Sequence, residues 1–211
     1  VDNKMNNEII FAIRFKKDVV GEGHGYWYSS TNATSPDFPT SQLIASYNDP
    51  ADSRKDLISF VKVGNTHVIK KYYDVADAST NNTGNDFILL RYADILLMYA
   101  EALNEIAYSN SQTSDAMNAL TEVRERSGLQ PISISSLPNK DAFRKAIMEE
   151  RQRELPFEGH RWFDLVRMGY AKEVMAASGH TIYDYQLVYP IPKTEIEKIN
   201  DTSILWQNEG Y

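Results

Sequence analysis

Asp86 to Ala107 reads DFILLRYADILLMYAEALNEIA. On a helical net Arg91, Asp94, Met98, Glu101 and Glu105 follow one another at steps of three and four, which places the charges on one narrow stripe. Leu89, Leu90, Tyr92, Ala93, Ile95, Leu96, Leu97, Tyr99, Ala100 and Leu103 are apolar and occupy the rest. A helix apolar over more than half its circumference must be packed between neighbours. Its charges are too many and too sharply striped for a membrane span. The stretch is therefore expected to be the central buried helix of a soluble, mainly helical domain, capped by Asn85 or Asp86.

Working outward, Ser114–Ser127 forms a second helix with Ala116, Ala119, Leu120 and Val123 inward, stopped at Gly128-Leu129 by a left-handed cap. The two helices make a hairpin of about tetratricopeptide length, although the residue pattern of that repeat is poorly matched. Asn139 caps a third helix reaching Leu155, and Pro156 ends it. His160–Met168 makes a short fourth helix stopped at Gly169. Pro190 and Pro192 hold YPIP extended, Thr194 caps KTEIEKI, and the tail ILWQNEGY, with two aromatics, is expected to be docked. Upstream, Glu8–Phe15 alternates, with Ile9, Phe11, Ile13 and Phe15 on one face and Ile10, Ala12 and Arg14 on the other, the pattern of a strand with one face buried. Thr40–Tyr47 makes a short helix capped by Thr40 or Ser41, and Asp49–Arg54 a turn. Leu57–Val63 and Thr66–Tyr72 form a hairpin through Gly64-Asn65. The fold class is mainly α, with a few short strands near the N-terminus. Residues 1–211 are expected to be one domain, 1–85 carrying strands, long loops and the ligand-facing part, and 86–211 the helical framework.

Composition narrows the function. The 22 Lys and Arg against 29 Asp and Glu, a formal charge of −7, with no concentrated basic cluster, disfavour nucleic acid and anionic membrane surfaces as partners. The lack of cysteine excludes disulfides, thiolate metal sites and a Cys nucleophile. His24, His67, His160 and His180 are scattered without metal-ligand spacing. Asp49, Asp52 and Asp56 lack an EF-hand pattern and read as a solvated turn. No phosphate-cradling loop or nucleophile elbow occurs. No cofactor and no metal are expected.

Two charged constellations admit an enzymatic reading. The stripe on the central helix lacks the accompanying Glu-x-x-His of a carboxylate metal site and reads as a polar seam against a neighbouring helix. In EERQRELPFEGHRWFD (Glu149–Asp164), Glu158 or Asp164 with His160 would be the acid–base pair of an enzyme. The alternative has Arg151, Glu154, Arg161 and Asp164 as buried pairs fixing how the third and fourth helices meet around Trp162. The second alternative is favoured, so no catalytic residue is assigned.

One loop has a different chemistry. Gly21–Pro39, GEGHGYWYSSTNATSPDFP, is long and polar, with three adjacent aromatics. Flat aromatic faces among hydroxyl and amide groups suit sugar rings, and the same rings would also serve as a hydrophobic plug. The candidate ligand-binding residues are Tyr26, Trp27, Tyr28, Asn32 and Asp37.

LRYADILLMYAEALNE (90–105), VRERSGL (123–129), EERQRELPFEGHRWFDLVRMG (149–169), YPIPKTEI (189–196) and the closing QNEGY resemble, in order and spacing, the C-terminal half of the SusD/RagB family. EIIFAIRF, FPTSQLIASY, DPADSR and KKYYD agree upstream. The resemblance implies a mostly helical fold with tetratricopeptide-like helix pairs and a non-enzymatic lipoprotein on the external face of a Bacteroidetes-type outer membrane. It also implies binding of oligosaccharides or other nutrients beside a TonB-dependent, SusC-like transporter. A protein-interaction scaffold without sugar contact is the alternative, and a glycoside hydrolase using Glu158 and Asp164 a third. The chain opens VDNKMNNEII, without a signal peptide or lipid-bearing Cys, so contact with the membrane is expected only through an anchor outside it.

Overall fold

In the computed structural model the described residues are 6–23, 38–56, 60–63, 66–72, 74, 77–80 and 82–211. They form two compact units, Val1–Arg161 and Trp162–Tyr211. In the first, β1 (Ile9–Ile13) is followed by α1 (Ser41–Ser46), β2 (Phe60–Val63), β3 (Thr66–Ile69), β4 (Phe87–Arg91), α2 (Tyr92–Ile106), α3 (Asp115–Arg126) and α4 (Lys140–Glu154). The structure is mainly helical, and among the described residues the strands form two small antiparallel pairs, β1 with β4 and β2 with β3.

The predicted central helix is two elements. Phe87–Arg91 pairs with β1, and Arg91 has φ −146° and ψ 162°, so the helix begins only at Tyr92. A short apolar run has the same signature as strand or helix. Here the presence of β1 as a hydrogen-bonding partner decides for strand. Asn85 and Asp86 consequently do not cap α2. Asn85 donates to the Tyr72 carbonyl, and Asp86 accepts from the Phe15 amide and pairs with Arg14.

Inside α2 the buried side is Ala93, Asp94, Leu97, Ala100 and Asn104, while Tyr92, Ile95, Met98, Tyr99 and Ile106 are exposed. The helix is central to the core, but it is not enclosed all round. Small Ala93 and Ala100 let it approach its neighbours closely, and Leu97 meets Met117, Leu120, Phe143 and Ile147 in one cluster. The polar stripe does meet a neighbouring helix: Asp94 pairs with Arg151 at 2.7 Å, and Glu105 takes both Arg144 nitrogens at 2.6 and 2.8 Å.

Each helix of this cluster starts and stops on sequence chemistry. Ser114 accepts from the Met117 amide and Asn139 from the Ala142 amide, each satisfying a first-turn donor. α3 ends with the Leu129 amide on the Arg124 carbonyl and the Gly128 amide on the Glu125 carbonyl. This is the paired closure of a left-handed cap, with Gly128 at φ +87° and Leu129 folded back and buried.

β1 departs from expectation. Its pairing shifts register between Ile9 and Phe11 and again between Phe11 and Ala12. Such irregularities break the alternation of faces. Ile10, Phe11 and Ile13 are all exposed, Phe11 at 55%, so the strand has no buried face made of Ile9, Phe11, Ile13 and Phe15.

The second unit carries most of α5 (Arg161–Arg167), then α6 (Ala171–Ala177) and α7 (Lys193–Ile199). Its tail is docked by polar side chains. The Ile191 amide donates to Gln207 Oε1 at 2.8 Å, Gln207 Nε2 returns a bond to the Ile191 carbonyl at 2.9 Å, and Asn208 donates to the Tyr189 carbonyl at 2.7 Å. The side-chain amide does the work of a paired strand. Trp206 and Tyr211 stay exposed, so the docking does not depend on burying them.

Candidate functional site

Tyr26, Trp27, Tyr28, Asn32 and Asp37 lie outside the described residues; what the structure defines is the base on which their loop stands. On the entering side the Lys16 amide donates to the Glu22 carbonyl at 2.8 Å, and the Glu22 amide to the Val19 carbonyl at 3.1 Å, closing a tight turn. This turn rests on Asp74, Thr80 and their neighbour Gly84. Thr80 Oγ1 donates to the Lys17 carbonyl, Lys17 Nζ to Asp74 at 3.2 Å, and the other Asp74 oxygen accepts from the Gly84 amide. Asp77 collects the Ser79 hydroxyl and the Ser79 and Thr80 amides, and these donors hold its carboxyl below the usual range. A Cβ on Gly23 would fall 2.4 Å from that of Asn82, so the chain enters the loop at closer approach than any other residue allows.

On the leaving side Pro39 is buried and Thr40 caps α1 by accepting from the Leu43 amide. Leu43 and Tyr47 of α1 pack with Phe157, and Tyr47 donates its hydroxyl to the Arg153 carbonyl at 2.8 Å. Both ends of the candidate loop are thus tied to framework that the helical core holds.

The enzymatic candidates have a different fate. Glu158 is buried, with one oxygen on Arg91 Nε at 2.8 Å and the other on Arg91 Nη2 at 2.9 Å, and Lys71 pairs with it as well. Arg91 also reaches Glu154 at 2.6 Å and Glu8 at 3.0 Å. Arg54 spans Asp52, Glu150 and Glu154 at 2.7, 2.7 and 2.9 Å, Arg124 and Arg153 close on Glu150, and Arg126 on Glu154. The result is a lattice of alternating charge in which Glu150, Glu154 and Glu158 are each shared by two or more cations.

Burial opposes ionisation of Glu154, but the Arg91, Arg126 and Arg54 guanidiniums outweigh it and hold the carboxyl down to about 2. Burial likewise opposes charge on Glu158 and Glu150; Lys71 and Arg91 overcome it for the first, Arg153 and Arg54 for the second, and both stay below the usual range. The Lys71 amine is pushed down by burial. A general acid needs the opposite, a carboxyl raised toward neutrality. Glu150, Glu154 and Glu158 are all shifted the other way.

Asp164 pairs with Arg167 one turn along α5, and Arg161 donates to the Met148 carbonyl. Arg151 pairs with Asp94, and Glu154 with Arg54, Arg91 and Arg126, so residues outside the predicted set of four take part in this pairing. Asp49 and Asp52 serve the turn, accepting from the Ala51 and Arg54 amides. Sequence reading missed Glu8, Arg54 and Lys71 as members of the lattice, because no local spacing links residues that the fold joins over 83 to 100 positions.

Phe157 has φ +63°, rare for a bulky residue, and the turn it makes after Pro156 swings Glu158 back beneath Arg91. Tyr72 holds the Phe157 carbonyl through its hydroxyl. The motif LPFEG is thus a device for presenting Glu158 to the lattice.

Comparison with known proteins identifies the family. The sequence is 36% identical over 152 residues to SusD-like protein P2 of Formosa agariphila, covering 68% of this chain and 30% of that protein. The structure superposes on surface glycan-binding protein A from Bacteroides fluxus with a TM-score of 0.73 at 26% identity, covering 100% of this chain and 52% of that one. A laminarin-binding SusD-like protein shares the fold, with a TM-score of 0.70 at 24% identity and coverage of 100% and 51%. The chain therefore spans about half the length of these solved relatives. A sequence model of the SusD family matches residues 13–211, and with nearly every residue so accounted for, this chain belongs to the SusD family.

Proposed function

We propose that this chain is part of a surface glycan-binding protein that holds oligosaccharide without cleaving it. The carrying observation is that its candidate hydrolytic carboxylates are locked: Arg91 takes both oxygens of Glu158, and Asp164 is occupied by Arg167. Glycoside hydrolysis needs a protonated carboxyl as its acid, and Lys71 and Arg91 favour the ionised form of Glu158. Family membership supports the binding reading, as do structural relatives named for glycan and laminarin binding, one of them solved with laminarihexaose.

In this reading the ligand meets Tyr26, Trp27 and Tyr28 by stacking, with Asn32 and Asp37 bonding hydroxyls, on the loop whose two ends are braced by α1 and by Asp74, Thr80 and Gly84. The complete protein is lipid-anchored on the external face of the outer membrane and works beside a TonB-dependent, SusC-like transporter. Among the described residues no helix is long and apolar enough to cross a membrane. The test is calorimetric titration with neutral hexaoses, comparing the native chain with Trp27→Ala. Loss of affinity at an unchanged thermal midpoint supports the site. A large drop in midpoint would mark Trp27 as core instead.

A second reading, a scaffold of the uptake complex without sugar contact, draws on the exposed stripe Tyr92, Ile95 and Tyr99 of α2. Hexaose binding that disappears with the loop aromatics excludes it.

A further inference from the structure

Tyr183, Tyr185 and Tyr211, in the second unit, are held in place without being covered. The rings of Tyr183 and Tyr185 are nearly parallel, 8° apart in plane with centroids separated by 6.1 Å. Tyr211 stands edge-on to Tyr185, at 83° and 5.2 Å. The tail that brings Tyr211 there is pinned by Gln207 and Asn208, and by the Tyr211 hydroxyl, which donates to the Val188 carbonyl at 2.9 Å. Gly210, at φ +93°, lets the backbone press against the root of Tyr185: an added Cβ would sit 2.4 Å from its Cγ. On the other side the Tyr183 amide donates to Gln186 Oε1 at 2.9 Å, which folds the turn bearing both rings.

Despite this bracing, Tyr183 is 60% exposed, Tyr185 38% and Tyr211 48%. Burial of apolar surface therefore does not account for the ordering of the three rings. Aromatic faces ordered in advance remove an entropic cost from whatever stacks on them.

The neighbouring charge is the matched pair Lys172–Asp184, at 2.5 Å, with Asp184 open to water. It offers donors and acceptors to hydroxyl groups. A flat apolar face rimmed by hydroxyls is the surface of a neutral pyranose.

We propose that Tyr183 and Tyr185, set by Gly210 and Tyr211, form a second carbohydrate subsite, a shallow platform for one neutral sugar ring. This rests on the glycan-binding reading above. It also gives the closing motif QNEGY a task, as the brace of that platform.

The test is calorimetric titration of the 211-residue chain with laminari-, cello-, malto- and xylohexaose, alongside spectra of ring-labelled tyrosine. Tyr183→Ala removes the outer ring, while Gly210→Ala keeps all three rings and displaces Tyr185. Each is expected to weaken binding of the hexaose that the native chain takes by about tenfold, with Tyr183→Phe close to native. Tyr183→Ala should leave the thermal midpoint unchanged, because the ring is mostly exposed. Perturbation of the Tyr183 and Tyr185 ring resonances by the hexaose supports the platform. Native affinity in Tyr183→Ala, with affinity lost in Trp27→Ala, overturns the platform and leaves the glycan reading standing. Binding lost in Tyr183→Ala and kept in Trp27→Ala supports the platform and removes the loop assignment. A native chain that takes none of the four sugars, up to millimolar concentration, overturns both.

Discussion

Arg91, the last residue of β4, grips both carboxylate oxygens of Glu158 across 67 positions of sequence, at 2.8 and 2.9 Å, in a site where both side chains are nearly sealed from water. A planar guanidinium matches a carboxylate in this two-pronged way, and an ammonium does not. The same Arg91 contacts Glu154 and Glu8, so one residue at the strand–helix junction ties β1, β4, the end of α4 and the turn after it.

Arg91→Met is therefore expected to be strongly destabilising, by about 3–5 kcal/mol, because it leaves buried carboxylates without their main counter-charge. Arg91→Lys should lose less, keeping the charge while giving up the fork. Urea unfolding monitored by circular dichroism checks both. A midpoint for Arg91→Met within error of native would show that Lys71 and Arg126 suffice.

Acid sensitivity follows from Glu154, held at about 2 in the folded chain against an ordinary 4.5. A carboxyl whose folded value is depressed binds its proton more readily when unfolded. Its contribution is present above about pH 4.5 and is lost as pH falls toward 2, on the order of 3 kcal/mol in all. Glu150 and Glu158 act in the same direction. Glu105 is also held near 2, chiefly by Arg144, but its side chain is 36% exposed and solvent screens its share. Stability measured from pH 7 to pH 2 should fall steeply below pH 4.5, and Glu154→Gln, already less stable at pH 7, should flatten that slope. An unchanged slope in Glu154→Gln would remove Glu154 as its source.

Gly128→Ala should destabilise the chain by about 2 kcal/mol. The position has φ +87°, and an added Cβ would lie 2.5 Å from the Ala51 carbonyl oxygen, which is backbone and cannot swing aside. Here the stop of α3 and the turn before Arg54 meet, and the Ser53 amide already donates to the Ser127 carbonyl. Gly159→Ala is the control, since φ is similar at +83° but nothing stands within 4 Å. Thermal melts should show a larger drop for Gly128→Ala than for the control.

Asn139→Ala should cost about 1 kcal/mol through the lost cap on the Ala142 amide. Asn139→Asp, which keeps an acceptor and adds charge complementary to the helix start, should match or exceed native stability. Both are read from thermal unfolding.

Local chemistry made much of this molecule legible. Ser114, Asn139 and Thr40 announced helix starts, Gly128-Leu129 a stop, and the apolar residues of α3 and α4 their core faces, because caps and periodicity act within a turn or two of chain. The charged block from Glu149 to Asp164 could be recognised as framework in character, though not as this framework. Its true partners, Arg54, Lys71, Arg91 and Arg124, come from distant elements.

Sequence by itself thus determined the starts of α1, α3 and α4, the mainly helical class and the family, since each depends on interactions among near neighbours or on the order of motifs. Thr194, by contrast, lies inside α7 and does not cap it. Only the tertiary structure decided that Phe87–Arg91 is strand and not helix, because β1 supplies the hydrogen bonds. It alone decided that one side of α2 stays open, and that Glu158, a carboxylate the sequence offers either as an acid or as framework, is clamped by Arg91 and Lys71. A carboxylate has the same composition in either role, and the difference lies in which cations the fold brings to it.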